Sequence, residues 1–163
     1  SRNVYQKTST MLDDAHEEVR RIAHNMMPDA LSKLGLEASI ADLADSYSNE
    51  NGFEISVQNL GWSDQPGESQ AIMLYRIVQE LLQNIAKHAQ ATRVFVQFSQ
   101  FENALVITVE DNGIGFDADR IKSNNGIGLK SIESRITYLN GTFETESSPG
   151  NGTVSIVRVP LPE

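Results

Sequence analysis

Apolar residues recur along this chain in distinct rhythms, and each rhythm predicts a different kind of element. In residues 3 to about 31 they are sparse: Val4, Met11, Ala15, Val19, Ile22 and Met26 stand 7, 4, 4, 3 and 4 apart. That spacing is a narrow seam of the coiled-coil kind on a long helix, whose other faces carry Asp13, Asp14, Glu17, Glu18, Arg20 and Arg21. So narrow a seam on so long a helix suits packing against another helix. Pro28 disturbs the pattern near its end, and Gly35 follows Leu31 and Leu34. A second helix is expected from about Leu36 to Asn49, with Ile40, Leu43, Ala44 and Tyr47 on one face and Asn51-Gly52 as its stop. From Glu68 to His88 the apolar face is broad, taking in Ile72, Leu74, Tyr75, Ile77, Val78, Leu81, Leu82, Ile85 and Ala86. A helix with that much apolar surface belongs in a core.

Elsewhere the period is two. Phe53 to Leu60 alternates Phe, Ile, Val and Leu with polar residues, which predicts a half-buried strand. Trp62 to Gly67 reads as a polar loop. Thr92 to Phe101 and Ala104 to Asp111 are consecutive strands across a tight Glu102-Asn103 turn. A polar loop, Asp117 to Asn125, leads to a helix from about Ile127 to Asn140. Two last strands, Gly141 to Ser147 and Gly152 to Leu161, flank a Pro149-Gly150-Asn151-Gly152 turn. The organisational break falls near residues 33 to 36, between the seamed helix (1–34) and a compact mixed α/β domain (35–163).

The totals narrow the field. At 163 residues there is room for one domain and a helical appendage, and the composition (39% hydrophobic, 21% charged) is globular. A net charge of −9 opposes nucleic-acid binding, which needs clustered Lys and Arg. Without cysteine there is neither a disulfide framework nor a thiolate metal site. No apolar run approaches the roughly 18 residues of a membrane span. The chain opens at Ser1 and already reads as mid-helix, so a piece of a longer protein is expected.

Candidate chemistry centres on Val106 to Phe116. The β-branched run Val106, Ile107, Thr108, Val109 gives way to Asp111-Asn112-Gly113-Ile114-Gly115. An aspartate at the end of a buried strand, followed by two glycines, offers acceptor oxygens beside backbone that a ligand can approach closely. An amine-bearing ring such as adenine fits; so, for the stretch alone, does an ordinary Asp-Asn-Gly turn. On the core helix, Glu80, Asn84, Lys87 and His88 are spaced to share one face. The Asn84 amide oxygen suits Mg²⁺ completed by water and phosphate oxygens, and Lys87 and His88 suit the phosphates. The same stripe is equally readable as the solvent side of an amphipathic helix. Gly126-Ile127-Gly128-Leu129 opens a helix after a polar loop, where free N–H groups face anions. Neither Gly113-Ile114-Gly115 nor Gly126-Ile127-Gly128 has the third glycine of a dinucleotide fingerprint, and Gly128-Leu129-Lys130-Ser131 has one residue too many for a P-loop. Thr153, opening the last strand, could share adenine or a water with Asp111.

Taken together, QELLQNIAKHA, DNGIGF, GIGL and GNGT resemble the N box, two glycine boxes and closing glycine-threonine of the GHKL ATP-binding superfamily, over about residues 36 to 162. That superfamily includes sensor histidine kinases, type II topoisomerases, a heat-shock chaperone and mismatch-repair ATPases. The resemblance implies an α+β fold, the Bergerat two-layer α/β sandwich with a mixed, mostly antiparallel sheet, here preceded by a long N-terminal helix. It implies that Asp111 binds the adenine amino group, Asn84 holds Mg²⁺, and Lys87 and His88 approach the phosphates of ATP. Gly113, Gly115, Gly126, Gly128 and Leu129 would shape the pocket, residues 117–125 its short lid, and Thr153 would sit near adenine. Glu80 matches the position that activates water in hydrolysing members; in a kinase its role is polar support or assistance, and with Asn84 it is a candidate catalytic residue.

EEVRRIAHNMMPDALSKLGLEASIADL further resembles the second helix of the dimerisation hairpin in the DesK/NarX-like histidine kinases. There the phosphorylated histidine lies on the first hairpin helix and precedes an acidic residue. His24 precedes Asn25 and lies in the second-helix motif; His16 precedes Glu17 but lacks the rest of the acceptor motif. The expectation is a kinase catalytic domain that transfers the ATP γ-phosphoryl group to a histidine outside this sequence, for relay to a response regulator. The expected parent is a homodimer, with its catalytic domain in the cytoplasm and a membrane anchor left open. A hydrolysing ATPase of the same fold, or a non-catalytic interaction module akin to anti-sigma-factor kinases, are the alternatives.

Overall fold

The computed structural model describes residues 29–63, 66–117 and 127–161. The expected seamed helix up to residue 28, with His16 and His24, as well as Gly126 and all of the expected lid except Asp117, lie outside the described residues. Among the described residues, three α-helices and five strands follow one another as α1 (Asp29–Asn51), β1 (Glu54–Leu60), α2 (Glu68–Asn84), β2 (Arg93–Phe101), β3 (Ala104–Asp111), α3 (Ile127–Tyr138), β4 (Thr142–Ser147) and β5 (Thr153–Pro160). The strands form one sheet in the order β1-β2-β3-β5-β4. β1 and β2 are parallel, joined by the α2 crossover; every other pair is antiparallel. No helix among the described residues is long and apolar enough to cross a membrane.

Alternation decides which face of the sheet is covered. Val94, Val96 and Phe98 of β2, Leu105, Ile107 and Val109 of β3, and Val157 and Val159 of β5 point one way and are buried. They meet Leu36, Ile40 and Leu43 of α1, Leu74, Ile77, Val78 and Leu81 of α2, and Ile132 and Ile136 of α3 in one core. Phe95 and Phe101 of β2 point away and stay exposed. The result is the expected two-layer sandwich with helices on one face.

Three differences from the sequence expectation have physical causes. Gly35 interrupts α1 with φ 85 and ψ 177, a conformation natural only to glycine, so the break expected near 33–36 is a kink within one helical run. The helix expected to reach His88 stays α-helical only to Asn84 and widens into a π-helical turn, Ile85–Ala89, closed by Gln90 at φ 51. The Trp62–Gly67 stretch is not uniformly polar surface. Trp62 is 3% exposed and stacks on Phe98 with ring centroids 5.4 Å apart, which caps the core at the end of β1.

Candidate functional site

The inner face of the sheet changes character toward one end. Phe98, Ile107, Val157 and Phe143 form an apolar row across β2, β3, β5 and β4; the next row is Val96, Val109, Ser155 and Thr145; the last is Val94, Asp111, Thr153 and Ser147. Thr145 Oγ1 is buried with no protein partner. Asp111 is only 5% exposed. Burial pushes its carboxyl above the usual range, the neighbouring Glu110 charge adds to this, and the N–H groups of Gly113 and Thr153 partly offset both. The Gly113 N–H donates to Asp111 Oδ1 at 2.8 Å. That carboxylate is a buried acceptor at the polar end of an otherwise apolar layer.

Close backbone contacts hold the loop after Asp111 in place. Asn112 Oδ1 accepts the N–H groups of Thr92 and Arg93, both at 2.9 Å, and its Nδ2 donates to Thr92 Oγ1. A Cβ on Gly113 would lie 2.2 Å from the Ala89 carbonyl oxygen, so only glycine allows the loop to touch the π-turn. The Ile114 N–H donates to that same carbonyl at 2.8 Å, using an acceptor that the helix end leaves free. On the other side, the Gly150 N–H donates to Ile114 O at 2.7 Å, and a Cβ on Gly115 would meet Ser148 O at 2.1 Å. Gly152, at φ +68, brings its Cα against the Asp111 carbonyl, where a Cβ would sit 2.0 Å away.

Gly128 in the first turn of α3 makes the second close approach to α2. A Cβ there would fall 2.5 Å from Glu80 Oε1 and 3.5 Å from both polar atoms of the Asn84 amide. Glu80 and Asn84 are half-buried, as is Leu129; Lys87 and His88 lie exposed on the π-turn. Thus both glycine motifs converge on one helix, Gly128 against its polar stripe and Gly113 against its C-terminal turn. Gly128 packs its backbone directly against a carboxylate and an amide, whose oxygens are of the kind that a hard cation completed by water and phosphate oxygens takes. Among the described residues there is no group of three His, Cys, Asp or Glu side chains that could hold a metal on its own. A cavity of about 530 Å³ lies elsewhere, around the Gly35 kink, and none of the predicted site residues lines it.

Residues 69–163, more than half of the chain, match the histidine kinase-, DNA gyrase B- and HSP90-like ATPase family. The chain belongs to that family. Membership brings an ATP site with it, and the relatives narrow the branch. The histidine-protein kinase/phosphatase DegS of Brevibacillus brevis is 30% identical over 151 residues, 93% of this chain and 39% of DegS. The sensor histidine kinase LiaS of Bacillus subtilis is 31% identical over 153 residues, 93% of this chain and 41% of LiaS. The chain therefore spans about two fifths of the length of these relatives. The histidine kinase domain of the blue-light activated kinase of Erythrobacter litoralis EL346 superposes with a TM-score of 0.66 at 24% identity, over 77% of this chain and 61% of that one. Histidine kinase AdeS of Acinetobacter baumannii gives 0.67 at 10% identity over 96% and 84%. Both structural likenesses speak for the fold, which this ATPase-family domain shares.

Three residues at or beside this site have no site role in the sequence expectation. Asn112 was legible only as a turn former, yet it ties the loop to the start of β2. Ser147 accepts the Phe116 N–H at 2.9 Å and contacts Gly152 O and Thr153 Oγ1. The signal for Ser147 is its phase: it shares the inward set of β4 with Phe143 and Thr145. Tyr47 of α1 belongs with Glu80: burial first, then the charges of Glu50 and Glu80 and the nearby Tyr75, push its hydroxyl up to about 12.

Proposed function

We propose that residues 35–163 are the ATP-binding catalytic domain of a two-component sensor histidine kinase, and that residues 1–34 are the second helix of its dimerisation hairpin. The kink at Gly35 supports that boundary. The observation that carries the reading is the convergence of both glycine motifs on α2, Gly113 at Ala89 and Gly128 at Glu80 and Asn84, beside a buried Asp111. In this reading Asp111 accepts a hydrogen bond from the adenine amino group, with Thr153 near it. Gly113, Gly115, Gly126, Gly128 and Leu129 shape the pocket, and Lys87 and His88 meet the phosphates. Asn84 would hold Mg²⁺, with Glu80 as polar support beside it. The bound cation supplies charge neutralisation for the phosphate oxygens.

The chain's own contribution is then positioning, as in other phosphoryl transfers. The ring nitrogen of a histidine on the first hairpin helix forms the new bond to the γ-phosphorus as its bond to the ADP oxygen breaks. The phosphoryl group next passes to a response regulator. The working protein is a homodimer whose catalytic domain lies in the cytoplasm.

Calorimetry with ATP, with and without Mg²⁺, tests the reading directly. Wild-type chain should bind ATP more tightly with the cation, and Asn84→Ala should bind ATP with the same affinity in both conditions. Absence of binding at millimolar nucleotide refutes it. Incubation with γ-labelled ATP should leave the chain unlabelled. Label at His16 or His24 would reassign the acceptor, and steady turnover abolished by Glu80→Ala would favour a hydrolysing ATPase instead.

A further inference from the structure

The hydroxyl of Ser147, the last residue of β4, has three polar neighbours. The Phe116 N–H lies 2.9 Å away, Gly152 O 2.8 Å and Thr153 Oγ1 3.1 Å. A serine hydroxyl has one proton and two acceptor lone pairs. An N–H only donates and a carbonyl only accepts, so Ser147 accepts from Phe116 and gives its single proton to Gly152. The remaining bond has one allowed polarity: Thr153 donates and Ser147 accepts. With its own proton committed, Thr153 Oγ1 faces the site as an acceptor alone. Asp111, paired with Thr153 across β3 and β5, is an acceptor as well once ionised, and one of its oxygens already takes the Gly113 N–H.

We propose that Ser147 is a positioning residue for nucleobase specificity: by fixing the Thr153 proton it turns Thr153 and Asp111 into a pair of acceptors. Such a pair admits a purine carrying an amino group at its six-position and repels one carrying a keto oxygen there. Two lone-pair donors facing a keto oxygen leave buried acceptors unpaired, which is the situation that produces strong discrimination. This rests on the nucleotide reading above, which assigns adenine to Asp111 and Thr153 and gives Ser147 no role. The same hydroxyl holds Phe116, so nucleobase selection and the anchoring of the loop beyond Gly115 share one group.

The test is calorimetric titration of the chain with ATP and with inosine triphosphate, which carries a keto oxygen at that six-position and a proton on the adjoining N1. Wild type should prefer ATP by about a hundredfold or more. Ser147→Ala frees the Thr153 proton and should cut the preference about tenfold, the size of one ordinary hydrogen bond. Ser147→Thr keeps the hydroxyl and should restore it. If Ser147→Ala does not fold, Thr153→Val removes the acceptor while leaving both other Ser147 bonds, and should lower the preference similarly. An equal loss of both nucleotides in the folded variant, with the preference intact, overturns this inference and leaves the nucleotide reading standing. Binding of neither nucleotide by wild type overturns both.

Discussion

Gly113→Ala isolates the contact on which the site's architecture turns. The added Cβ would lie 2.2 Å from Ala89 O, 2.8 Å from Ala89 C and 2.8 Å from Ala89 Cβ, all on the π-turn at the end of α2. Two of these are backbone atoms, so no flexible side chain can swing away. Loop and turn have to separate by about 1 Å to restore van der Waals distance. That movement also stretches the 2.8 Å bond from the Ile114 N–H to Ala89 O beyond useful length. Overpacking costs about 1–3 kcal/mol and the lost bond about 1 kcal/mol, for a total of about 2–4 kcal/mol. Against the ~5–15 kcal/mol of a typical domain this is a large fraction, and it corresponds to a fall in Tm of roughly 4–16 °C at this chain length. The matched control is Gly67→Ala, because Gly67 has open space around it and an extended φ of −56 that alanine adopts freely. It should stay within about 0.5 kcal/mol of wild type. Urea unfolding followed through Trp62, the single tryptophan, gives both numbers, since that ring is buried against Phe98. Equal stabilities for the two variants would show that the loop does not rest on the π-turn as described.

Three further outcomes follow from charge and burial. Asp111→Asn should raise the Tm of the nucleotide-free chain at neutral pH while abolishing ATP binding. The folded carboxyl binds its proton more readily than the unfolded one, so the buried charge lowers stability as pH rises above 3.8, and the variant's advantage should vanish below that value; a variant less stable than wild type at pH 7 contradicts this. Tyr47, held up to about 12 against 10.0 when unfolded, contributes stability that is complete below pH 10 and is lost as pH rises toward 12. Tyr47→Phe should flatten that part of the profile in denaturant titrations, and an unchanged slope would place the ionisation elsewhere. Trp62→Ala should cost about 3–5 kcal/mol, whereas Trp62→Phe keeps the stacking, removes a buried N–H that has no partner, and should cost under about 1.5 kcal/mol by circular dichroism.

What the sequence makes legible depends on how local the cause is. β2 and β3 can be read from their β-branched and aromatic runs and the tight turn between them, with Val94, Val96 and Phe98, then Leu105, Ile107 and Val109, at every second position on the covered face. α2 is equally plain from its broad apolar face. Trp62 is not, because its neighbours Gly61 and Ser63 carry no periodic signal and its burial depends on Phe98, far along the chain. The π-turn is hidden for a related reason: Ile85 and Ala86 continue a helical pattern, and only the contact of Ala89 with Gly113 marks the wider turn. At the site, Asp111, Asn84 and the glycines announce themselves through residue type and spacing. Ser147 and Asn112 do not, since a serine ending a strand and an asparagine in a turn are common in their own right. Their significance comes from strand register, which pairs Ser147 with Thr153 and Thr153 with Asp111.

Register also explains how one face of the sheet carries both an apolar core and the polar row Asp111, Thr153 and Ser147. A shift of one residue between β3 and β5 would carry Thr153 and Ser155 to the exposed face and replace them with Val154 and Ile156. Asp111 would then lose the Thr153 amide, and its buried charge would keep only the Gly113 N–H among the two donors that now offset its burial. The tight approach of Gly152 to the Asp111 carbonyl is what permits the native pairing, because every other residue type would clash at that position. The glycine therefore does more than shape a turn: it lets β5 start in the one register that places a threonine beside the aspartate. In the proposed reading, much of the ordering that a purine site requires is thereby completed during folding, and a nucleotide would meet acceptors already held in position, which is the condition for binding that is both tight and selective.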